Sequence, residues 1–467
     1  MNFSELRFWL LLGGGLAVAL TLRWPIRLGW PRYLVQYDRW ALLLLGWMLL
    51  LAVSWLTFVI FLAVACLTYG ALVWLTSGRV RHPRRYLFLL VPLQLAPLIY
   101  YKYSDFLANR VLGLDYDMLR GIMIPAGISF YTFQAIAFAA DTLALRIDRP
   151  RFGDYLNFIG FFPQVVAGPI ERRKDLQPQM ERFRFAWEPQ QLNEGAGWIV
   201  VGLFFKLALA DNLAGYFDPS QTGNAYRIWL ANLLFGMRIY YDFAGYSMIA
   251  VGLGRCLGIR LTLNFLSPYC ALSMVEFWRR WHITLSQWFR DYVYIPLGGG
   301  RTQWWFFNVM VVFVVSGIWH GAGWNFVFWG GLHGLFLLLN RLAGRRVRIP
   351  RTLSWGLTMV GVFFAWLCFY EQRSAVLFQK IATLLTPQAY SPGALKEFCQ
   401  LHASGDGITL AGFLVLGGIS VLAEWRSLAV HNEPYTLFRG AWASCLLVVL
   451  TLALAPGKQN AFIYFAF

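Results

Sequence analysis

The sequence predicts an all-α polytopic membrane protein, and two features of its composition lead to that class. Of its 467 residues, 58% are hydrophobic and only 13% are charged, whereas about 25% charged residues is usual for a soluble domain. Apolar segments recur along the chain, each close to the roughly 20 residues that a spanning helix needs. Lipid accepts a backbone only as helices or closed barrels, and the alternating pattern of barrel strands is absent here.

The candidate spans follow one another without a linker that would mark a second domain, so we expect one integral-membrane domain over 1–467. Several are short or interrupted by glycine or proline, which is typical of helices that line a cavity or pack inside a bundle. The longest polar stretch, 371–407, has room for only a small extramembrane cap. The candidate spans are 8–22, 41–75 (two helices), 86–101, 121–140, 155–170, 194–217, 228–254, 305–319, 323–342, 354–370, 408–424 and 440–456.

The opening segment and the basic loops indicate how the chain relates to the bilayer. The first helix carries no A-x-A-like cleavage site, so we expect it to be retained rather than removed as a signal peptide. The net charge of +17 is concentrated in short loops such as 77–85 and 341–351. Membrane proteins keep such loops on the cytoplasmic side, against the anionic leaflet. We therefore expect lipid, and no nucleic acid, as the partner of this charge.

One charged segment, SMVEFWRRWHITLSQWFRDYVYIPLGGG (273–300), has a clear helical period. Apolar residues recur in it at spacings of three and four, and the charged residues occupy the opposite arc. We expect one amphipathic helix that lies in the interface and ends at Pro296 and the glycines. The apolar stripe comprises Trp278, Trp281, Leu285, Trp288 and Tyr292.

Three of the six histidines lie in or beside membrane segments, where an ionisable group is a functional hypothesis by default. His320 ends an apolar run and precedes GAG (321–323), where the backbone can break and approach a substrate. It is either a general base for a hydroxyl or thiol, or a neutral histidine bonded to a neighbouring helix. His282 has similar alternatives, and the adjacent Arg279 and Arg280 could steer an anionic group.

The remaining histidines favour structural or surface roles. The glycines between His320 and His333 make a fixed relation between their rings unexpected, and we favour a structural role for His333. His82, His402 and His431 lie in basic or polar connections and are expected at the surface. No histidine pair has a metal-binding spacing, and no two cysteines form C-x-x-C, so we expect no metal site.

Two further motifs place polar groups next to apolar segments. YYDFAGYS (240–247) puts Asp242 inside a span, one helical turn after Arg238, and we expect these two residues to form an ion pair. AGPIERRKDL (167–176) is a Gly-Pro turn that runs into basic residues. It fits either a site for a phosphate-bearing donor or a cytoplasmic anchoring loop.

Taken together, these motifs resemble the membrane-bound O-acyltransferase (MBOAT) superfamily, and within it the bacterial branch that acylates alginate, cellulose and teichoic acids. The resemblance rests on EFWRRWHITLSQWFRDYVYIPLGGGR (276–301) and SGIWHGAGWNFVFWGGLHG (316–334). It also rests on MIPAGISFYTFQ (123–134) and FPQVVAGPIERRKDL (162–176), while FIYFAF (462–467) is similar to the family's aromatic ending. The motifs run from about residue 120 to 340, where the acyltransferase core would lie.

The resemblance implies a ring of roughly ten to twelve transmembrane helices, with interfacial helices around a central tunnel, in the bacterial inner membrane. The family's essential histidine corresponds to His320 and its second recurrent histidine to His282. The family implies acetyl-CoA as donor, no tightly bound cofactor, and a periplasmic SGNH-type partner within an exopolysaccharide synthesis complex. Residues expected to line the substrate tunnel are Trp319, Trp324, Asn325, Arg279 and Arg280.

The sequence leaves several alternatives open. The runner-up activity is D-alanyl transfer from an acyl carrier protein, and a glycan or lipid transporter or a structural scaffold are alternatives of another class. Ala244 and Met248 stand where related sequences tend to have serine and aspartate, so no role is carried over for that aspartate. We lean slightly to cellulose as the polymer because this variant departs from the alginate pattern.

Overall fold

The structure is a computed structural model that describes residues 3–145, 147–343, 349–403, 405–457 and 460–466. Within these ranges every regular element is helical and none is a strand, which confirms the all-α prediction. The basic loop predicted at 341–351 lies partly outside the described residues. The α-helices in chain order are α1 Leu6–Gly29, α2 Leu34–Val53, α3 Trp55–Leu75, α4 Leu87–Leu98, α5 Ile128–Ala144, α6 Phe152–Ile159, α7 Arg173–Glu181, α8 Pro189–Leu203, α9 Asp211–Gly215, α10 Ala225–Cys256, α11 Met274–Arg280, α12 Ile283–Phe289, α13 Trp305–His320, α14 Trp324–Ala343, α15 Arg351–Tyr370, α16 Ser374–Leu385, α17 Pro392–Leu401, α18 Gly405–His431 and α19 Ala441–Leu454.

Shorter helical turns connect these elements. Wider π-helical winding occurs at Ile99–Tyr103, Phe106–Val111, Phe204–Ala210 and Arg290–Tyr294. Single turns of 3₁₀ helix lie at Pro31–Tyr33, Pro83–Tyr86, Asp117–Leu119, Pro268–Cys270, Gly299–Arg301, Pro387–Tyr390, Thr436–Phe438 and Ile463–Ala466.

Helices long and apolar enough to cross a membrane support a multi-pass membrane protein. Trp305–His320, Ser374–Leu385 and Ala441–Leu454 are apolar but shorter. Since about 20 residues cross the hydrocarbon core, the shorter helices need a thinned bilayer or partial insertion to do so. Six helical stretches of the described chain meet the length and composition criteria: Leu6–Gly29, Pro31–Val53, Trp55–Leu75, Pro189–Gly215, Arg351–Tyr370 and Gly405–His431.

The chain divides into two compact units, of which the first comprises Met1–Ile199 and Tyr246–Thr262. In it α5 packs against α3 and α4, and α2 packs against α1, α3 and α6. The buried carboxylate of Asp38 forms an ion pair there with Arg23, which is partly exposed and donates to both carboxylate oxygens at 2.7 and 3.0 Å. Asp38 also accepts from the backbone N–H of Phe185 at 3.2 Å. The expectation of a single domain stays a prediction.

Two predicted spans of this unit are shorter than the sequence indicated. The segment predicted at 121–140 becomes helical only at Ile128, because Gly127 adopts a left-handed backbone with φ of +76°. A side chain at Gly127 would also approach the carbonyl oxygen of Val165 to 2.7 Å. The segment predicted at 155–170 stops being helical after Ile159. Pro163 cannot donate to a helix continued past that point.

The second unit comprises Val200–Gly245 and Leu263–Phe467. In it α13 and α14 form a hairpin, and α15 and α11 pack against α14. The hairpin closes tightly at two glycines: a Cβ on Gly317 would lie 2.1 Å from the carbonyl oxygen of Phe326, and one on Gly330 would lie 2.2 Å from that of Phe313. The polar stretch after α15 forms α16 and α17.

The prediction of one continuous amphipathic helix over 273–300 is wrong. Two seven-residue helices, α11 and α12, replace it, and π-helical winding follows them. The break lies at Trp281, which is extended, and His282, which has left-handed backbone angles of φ +42° and ψ +55°. Hydrophobic periodicity does not report such a break, because both sides of it keep burying tryptophans.

Candidate active site

His320 is the last residue of α13, and the extended backbone of Gly321 ends the helix. Its side chain is buried, with 3% of the residue exposed. Aromatic rings enclose it, with centroid separations of 5.0 Å to Trp319, 5.0 Å to Trp329, 5.2 Å to Phe369 and 5.7 Å to Tyr464. These rings come from α13, α14, α15 and the segment after α19, so four parts of the unit converge on one imidazole.

His282 has a left-handed backbone conformation, which few residues other than glycine adopt. Such a backbone costs free energy, and it persists where the surroundings over-determine it. Here Asn264 braces the next residues: its carbonyl oxygen accepts from the N–H of Ile283 at 2.9 Å. Its side-chain oxygen accepts from the Thr284 hydroxyl at 2.6 Å. Strained backbone of this kind clusters at functional sites.

The imidazole of His282 is fully buried and shares neighbours with that of His320. Its ring lies 6.0 Å from Trp319 and 6.4 Å from Tyr464, and 4.7 Å from Phe243 on α10. Trp319 and Tyr464 therefore contact both histidines. The structure brings together two histidines that the sequence separates by the whole of the 283–319 segment.

Asp242 has a different partner from the one predicted. Its carboxylate lies 2.9 Å from Lys206 rather than pairing with Arg238. Lys206 also contacts Asp211 at 2.8 Å. The π-helical winding of Phe204–Ala210 explains the contact between Lys206 and Asp211. It shifts the side-chain register from an ordinary α-helix and brings residues five apart, Lys206 and Asp211, to one face.

The remaining predicted site residues lie in different environments, and their proposed roles stay predictions. Trp319 is buried and its ring contacts both histidines, whereas Trp324 is about half exposed. Asn325 is buried, and its amide donates to the carbonyl oxygens of Cys368 and Phe369, both at 3.2 Å. It therefore fixes the end of α15, whose last turn carries Phe369 against His320.

The two arginines beside His282 diverge. Arg280 forms an ion pair with Glu276 at 2.7 Å and donates to the carbonyl oxygen of Leu266 at 3.0 Å. That carbonyl belongs to the segment that braces the break, so Arg280 supports the backbone around His282. The side chain of Arg279 is exposed.

The expectation that His333 has no fixed relation to His320 is wrong. Trp329 lies 5.0 Å from His320 and 4.8 Å from His333, because the tight hairpin folds α14 back along α13. His333 accepts a hydrogen bond from the Trp278 indole N–H at 3.3 Å. Of the other histidines, His82 and His431 are exposed.

Sequence reasoning missed Tyr464 and Lys206. The segment around Tyr464 is similar to the family's aromatic ending, but no local sequence pattern connects it to His282 or His320. Lys206 carried a usable signal, since a lysine in the apolar run GLFFKLALA (202–210) is costly in a membrane and needs a partner. The absence of a second charge within four residues hid that partner from helical spacing rules.

The arrangement is suited to proton transfer to and from a hydroxyl or thiol. A neutral imidazole can accept such a proton, and a second imidazole that shares its aromatic neighbours can donate to a developing oxyanion. The enclosing aromatic rings exclude water, so each polar interaction is stronger than it would be in solvent.

Comparison with known proteins places this geometry in context. A model of the MBOAT, membrane-bound O-acyltransferase family, matches residues 33–378, a range that includes both histidines but not Tyr464. The chain is 34% identical over 375 residues to the probable alginate O-acetylase AlgI of Pseudomonas aeruginosa, which covers 76% of this chain and 69% of that protein.

Two other relatives are named for different activities. The chain is 34% identical over 310 residues to the peptidoglycan O-acetyltransferase of Helicobacter pylori, covering 58% of this chain and 59% of that protein. It is 29% identical over 236 residues to the teichoic acid D-alanyltransferase of Streptococcus thermophilus, covering 46% and 56%. The resemblance drawn from the motifs is thereby confirmed.

Proposed function

The chain belongs to the membrane-bound O-acyltransferase family, and on that premise we propose that it moves acetyl groups from cytoplasmic acetyl-CoA across the bacterial inner membrane. The acetyl groups serve the O-acetylation of an extracellular polysaccharide. The family membership makes the chain an O-acyltransferase; the acetyl donor, the polymer and the relay are the proposal.

In the proposed reaction, His320 takes the proton of the accepting hydroxyl as that oxygen attacks the thioester carbonyl carbon. A C–O bond forms, the C–S bond breaks, and the coenzyme A thiolate leaves and receives the proton from His320. Base catalysis of this type contributes about 10²–10⁴-fold in rate. His282 stabilises the oxyanion that develops on the carbonyl oxygen.

The observation that carries the proposal is the shared enclosure of the two histidines. Trp319 and Tyr464 each contact both imidazoles, although His282 and His320 come from separate motifs. A merely structural histidine would not need a strained left-handed backbone to reach this position, as His282 has.

The names of the relatives support a glycan as the final acceptor. Alginate and peptidoglycan are the polymers in the names of relatives that are 34% identical to this chain. Both are glycans outside the cytoplasmic membrane, which supports an exported polysaccharide as the final acceptor. We propose that a periplasmic SGNH-type enzyme of the same system takes the acetyl group and places it on the polymer. The lean towards cellulose stays a prediction.

The test uses membranes that carry the protein with and without its candidate periplasmic partner. Acetyl-CoA labelled in the acetyl group is supplied on the cytoplasmic side, and label is followed into the partner and the polymer. The proposal predicts coenzyme A release that depends on an acceptor, and label on the partner. Membranes that consume no acetyl-CoA would contradict it.

A second candidate function, D-alanyl transfer, is favoured by the teichoic acid D-alanyltransferase relatives. That activity would use a D-alanyl carrier protein in place of acetyl-CoA. Supplying each labelled donor separately to the same membranes discriminates the two. A transporter would release no coenzyme A from the first donor and no free carrier from the second.

A further inference from the structure

Three charged side chains form a buried cluster in the second unit, and none of them takes part in the ring contacts of the histidines. Lys206 lies 2.8 Å from Asp211 and 2.9 Å from Asp242. All three residues are at most 4% exposed. A buried ion cluster contributes little net stability, since desolvation offsets most of the attraction. Its retention inside a membrane protein therefore suggests a task other than stabilisation.

The cluster binds the main chain of a segment far away in the sequence. The Lys206 ammonium donates to the carbonyl oxygen of Asn460 at 2.9 Å, and the Asn460 amide donates to the carbonyl oxygen of Asp211 at 3.2 Å. The second oxygen of Asp242 accepts from the backbone N–H of Ile463 at 2.6 Å. We call residues 460–464 the anchored segment.

These bonds fix the segment at both ends of a short stretch. Between the two bonded residues, Phe462 is buried and its ring lies 5.8 Å from that of Phe243. The residue after Ile463 is Tyr464, whose ring lies 4.4 Å from Phe243, 5.7 Å from His320 and 6.4 Å from His282. The residue that donates a charge-assisted hydrogen bond to Asp242, Ile463, is therefore adjacent in sequence to the tyrosine whose ring contacts His320.

The same helix carries both ends of this connection. Asp242 and Phe243 are adjacent on α10: the first holds the backbone of the anchored segment, and the second packs against Tyr464 and His282. A hydrogen bond to a charged acceptor is about twice as strong as a neutral one, which suits a bond that sets a position.

We propose that Lys206, Asp211 and Asp242 are positioning residues, whose cluster holds the anchored segment so that Tyr464 orients His320 and His282. This proposal rests on the proposed function, since it takes the two histidines to be the reacting groups. The cluster acts through Tyr464 and touches neither substrate nor the reacting atoms.

The decisive variant is Asp242→Asn, compared with Asp38→Asn in the other unit. Each aspartate is buried, pairs with a basic side chain and accepts a backbone N–H from a distant segment. An asparagine side chain offers one acceptor oxygen where the carboxylate offers two, so each variant loses an acceptor. The pair is matched in chemistry and differs in the segment that is released.

We expect Asp242→Asn to lower the kcat of label transfer by about 10- to 100-fold with little change in the KM for acetyl-CoA, because an ångström-scale displacement of catalytic groups costs that much. Asp38→Asn should keep the wild-type kcat per folded molecule. Equal losses in both variants would overturn the proposal, because a general loss of stability would explain them.

A double-mutant cycle on kcat distinguishes positioning through Tyr464 from a purely structural role of the cluster. If the cluster acts through Tyr464, Asp242→Asn should cause no further loss in a Tyr464→Ala background. Losses that multiply in the double variant would overturn the proposal. So would a Tyr464→Ala variant with wild-type kcat.

Asn460→Ala keeps the proposal falsifiable if Asp242→Asn does not fold. It removes only the hydrogen bond from the Asn460 side-chain amide to the Asp211 carbonyl oxygen and leaves the ion cluster intact. We expect a smaller loss of kcat in the same direction, and an unchanged kcat would count against positioning. Failure of the proposed function would look different, because wild-type membranes would then transfer no acetyl group. Failure of the positioning proposal would leave wild-type transfer intact and would appear only in the comparison of the variants.

Discussion

Two buried histidines on the α13–α14 hairpin, His320 and His333, differ in what faces their rings. Both contact Trp329, and they are 3% and 1% exposed. His333 accepts a hydrogen bond from the Trp278 indole and lies nearly parallel to Phe277. His320 instead faces Trp319 and Tyr464, the two rings that also contact His282.

Burial and sequence context therefore do not by themselves separate the histidine that we propose as the general base, His320, from the one expected to be structural, His333. Both lie in apolar helices, where an ionisable group would by default be considered functional. What separates them is convergence: the His320 ring meets residues from several elements that also surround a second imidazole. His333 has an indole N–H donor dedicated to it, as a structural group would.

The largest effect is expected for His320→Ala. Loss of the proposed general base should reduce acetyl transfer by about 10²–10⁴-fold. The measurement is label transfer from acetyl-CoA per folded molecule, with the amount of folded protein taken from size-exclusion chromatography in detergent. Transfer at the wild-type rate would remove His320 from the reaction.

His282→Asn should reduce transfer by a smaller factor, about 10²-fold, because it removes an electrostatic stabiliser rather than the base. Asparagine adopts the left-handed backbone more readily than most residues, so the break between α11 and α12 should survive. The midpoint temperature of thermal unfolding is therefore expected to equal or exceed that of wild type. Full activity in this variant would show that the strained histidine serves only the fold.

Asn325→Ala should have an intermediate effect on transfer. It releases two carbonyl groups at the end of α15, and a lost hydrogen bond costs about 0.5–1.5 kcal/mol of stability. Phe369 then loses its fixed position against His320, so we expect a severalfold fall in kcat. An unchanged kcat, with stability lowered as stated, would mean that the orientation of Phe369 does not matter.

The smallest effect on transfer is expected for His333→Ala. It leaves the Trp278 indole N–H without its acceptor, which should cost about 1–3 kcal/mol of stability. Activity per folded molecule should remain close to wild type. A loss of activity as large as that of His320→Ala, in protein that is still folded, would erase the contrast between the two histidines.

Much of the fold and part of the candidate site could be read from the sequence. Long apolar runs predicted the helices, and local motifs singled out His320 and His282. The break at His282 was not predictable from periodicity, because a left-handed histidine looks like any other residue in an apolar stripe. The break depends on hydrogen bonds that Asn264 accepts, and no sequence pattern connects Asn264 with His282.

The contacts of Tyr464 and Lys206 escaped for a related reason. Lys206 meets the Asn460 carbonyl across 254 positions of sequence, and no periodic pattern reaches that far. Its nearer partner, Asp211, is five residues away, a spacing that only π-helical winding brings together. Hence the sequence favoured Arg238, at the ordinary helical spacing, as the partner of Asp242.

The most direct measurement compares His320→Gln and His333→Gln in the same membranes, with coenzyme A release from acetyl-CoA followed in the presence of an acceptor. Glutamine keeps hydrogen-bonding capacity and removes the titratable ring at each site. We expect release to be lost in His320→Gln and retained in His333→Gln, with both proteins folded and inserted. Retained release in His320→Gln, or equal loss in both variants, would contradict it.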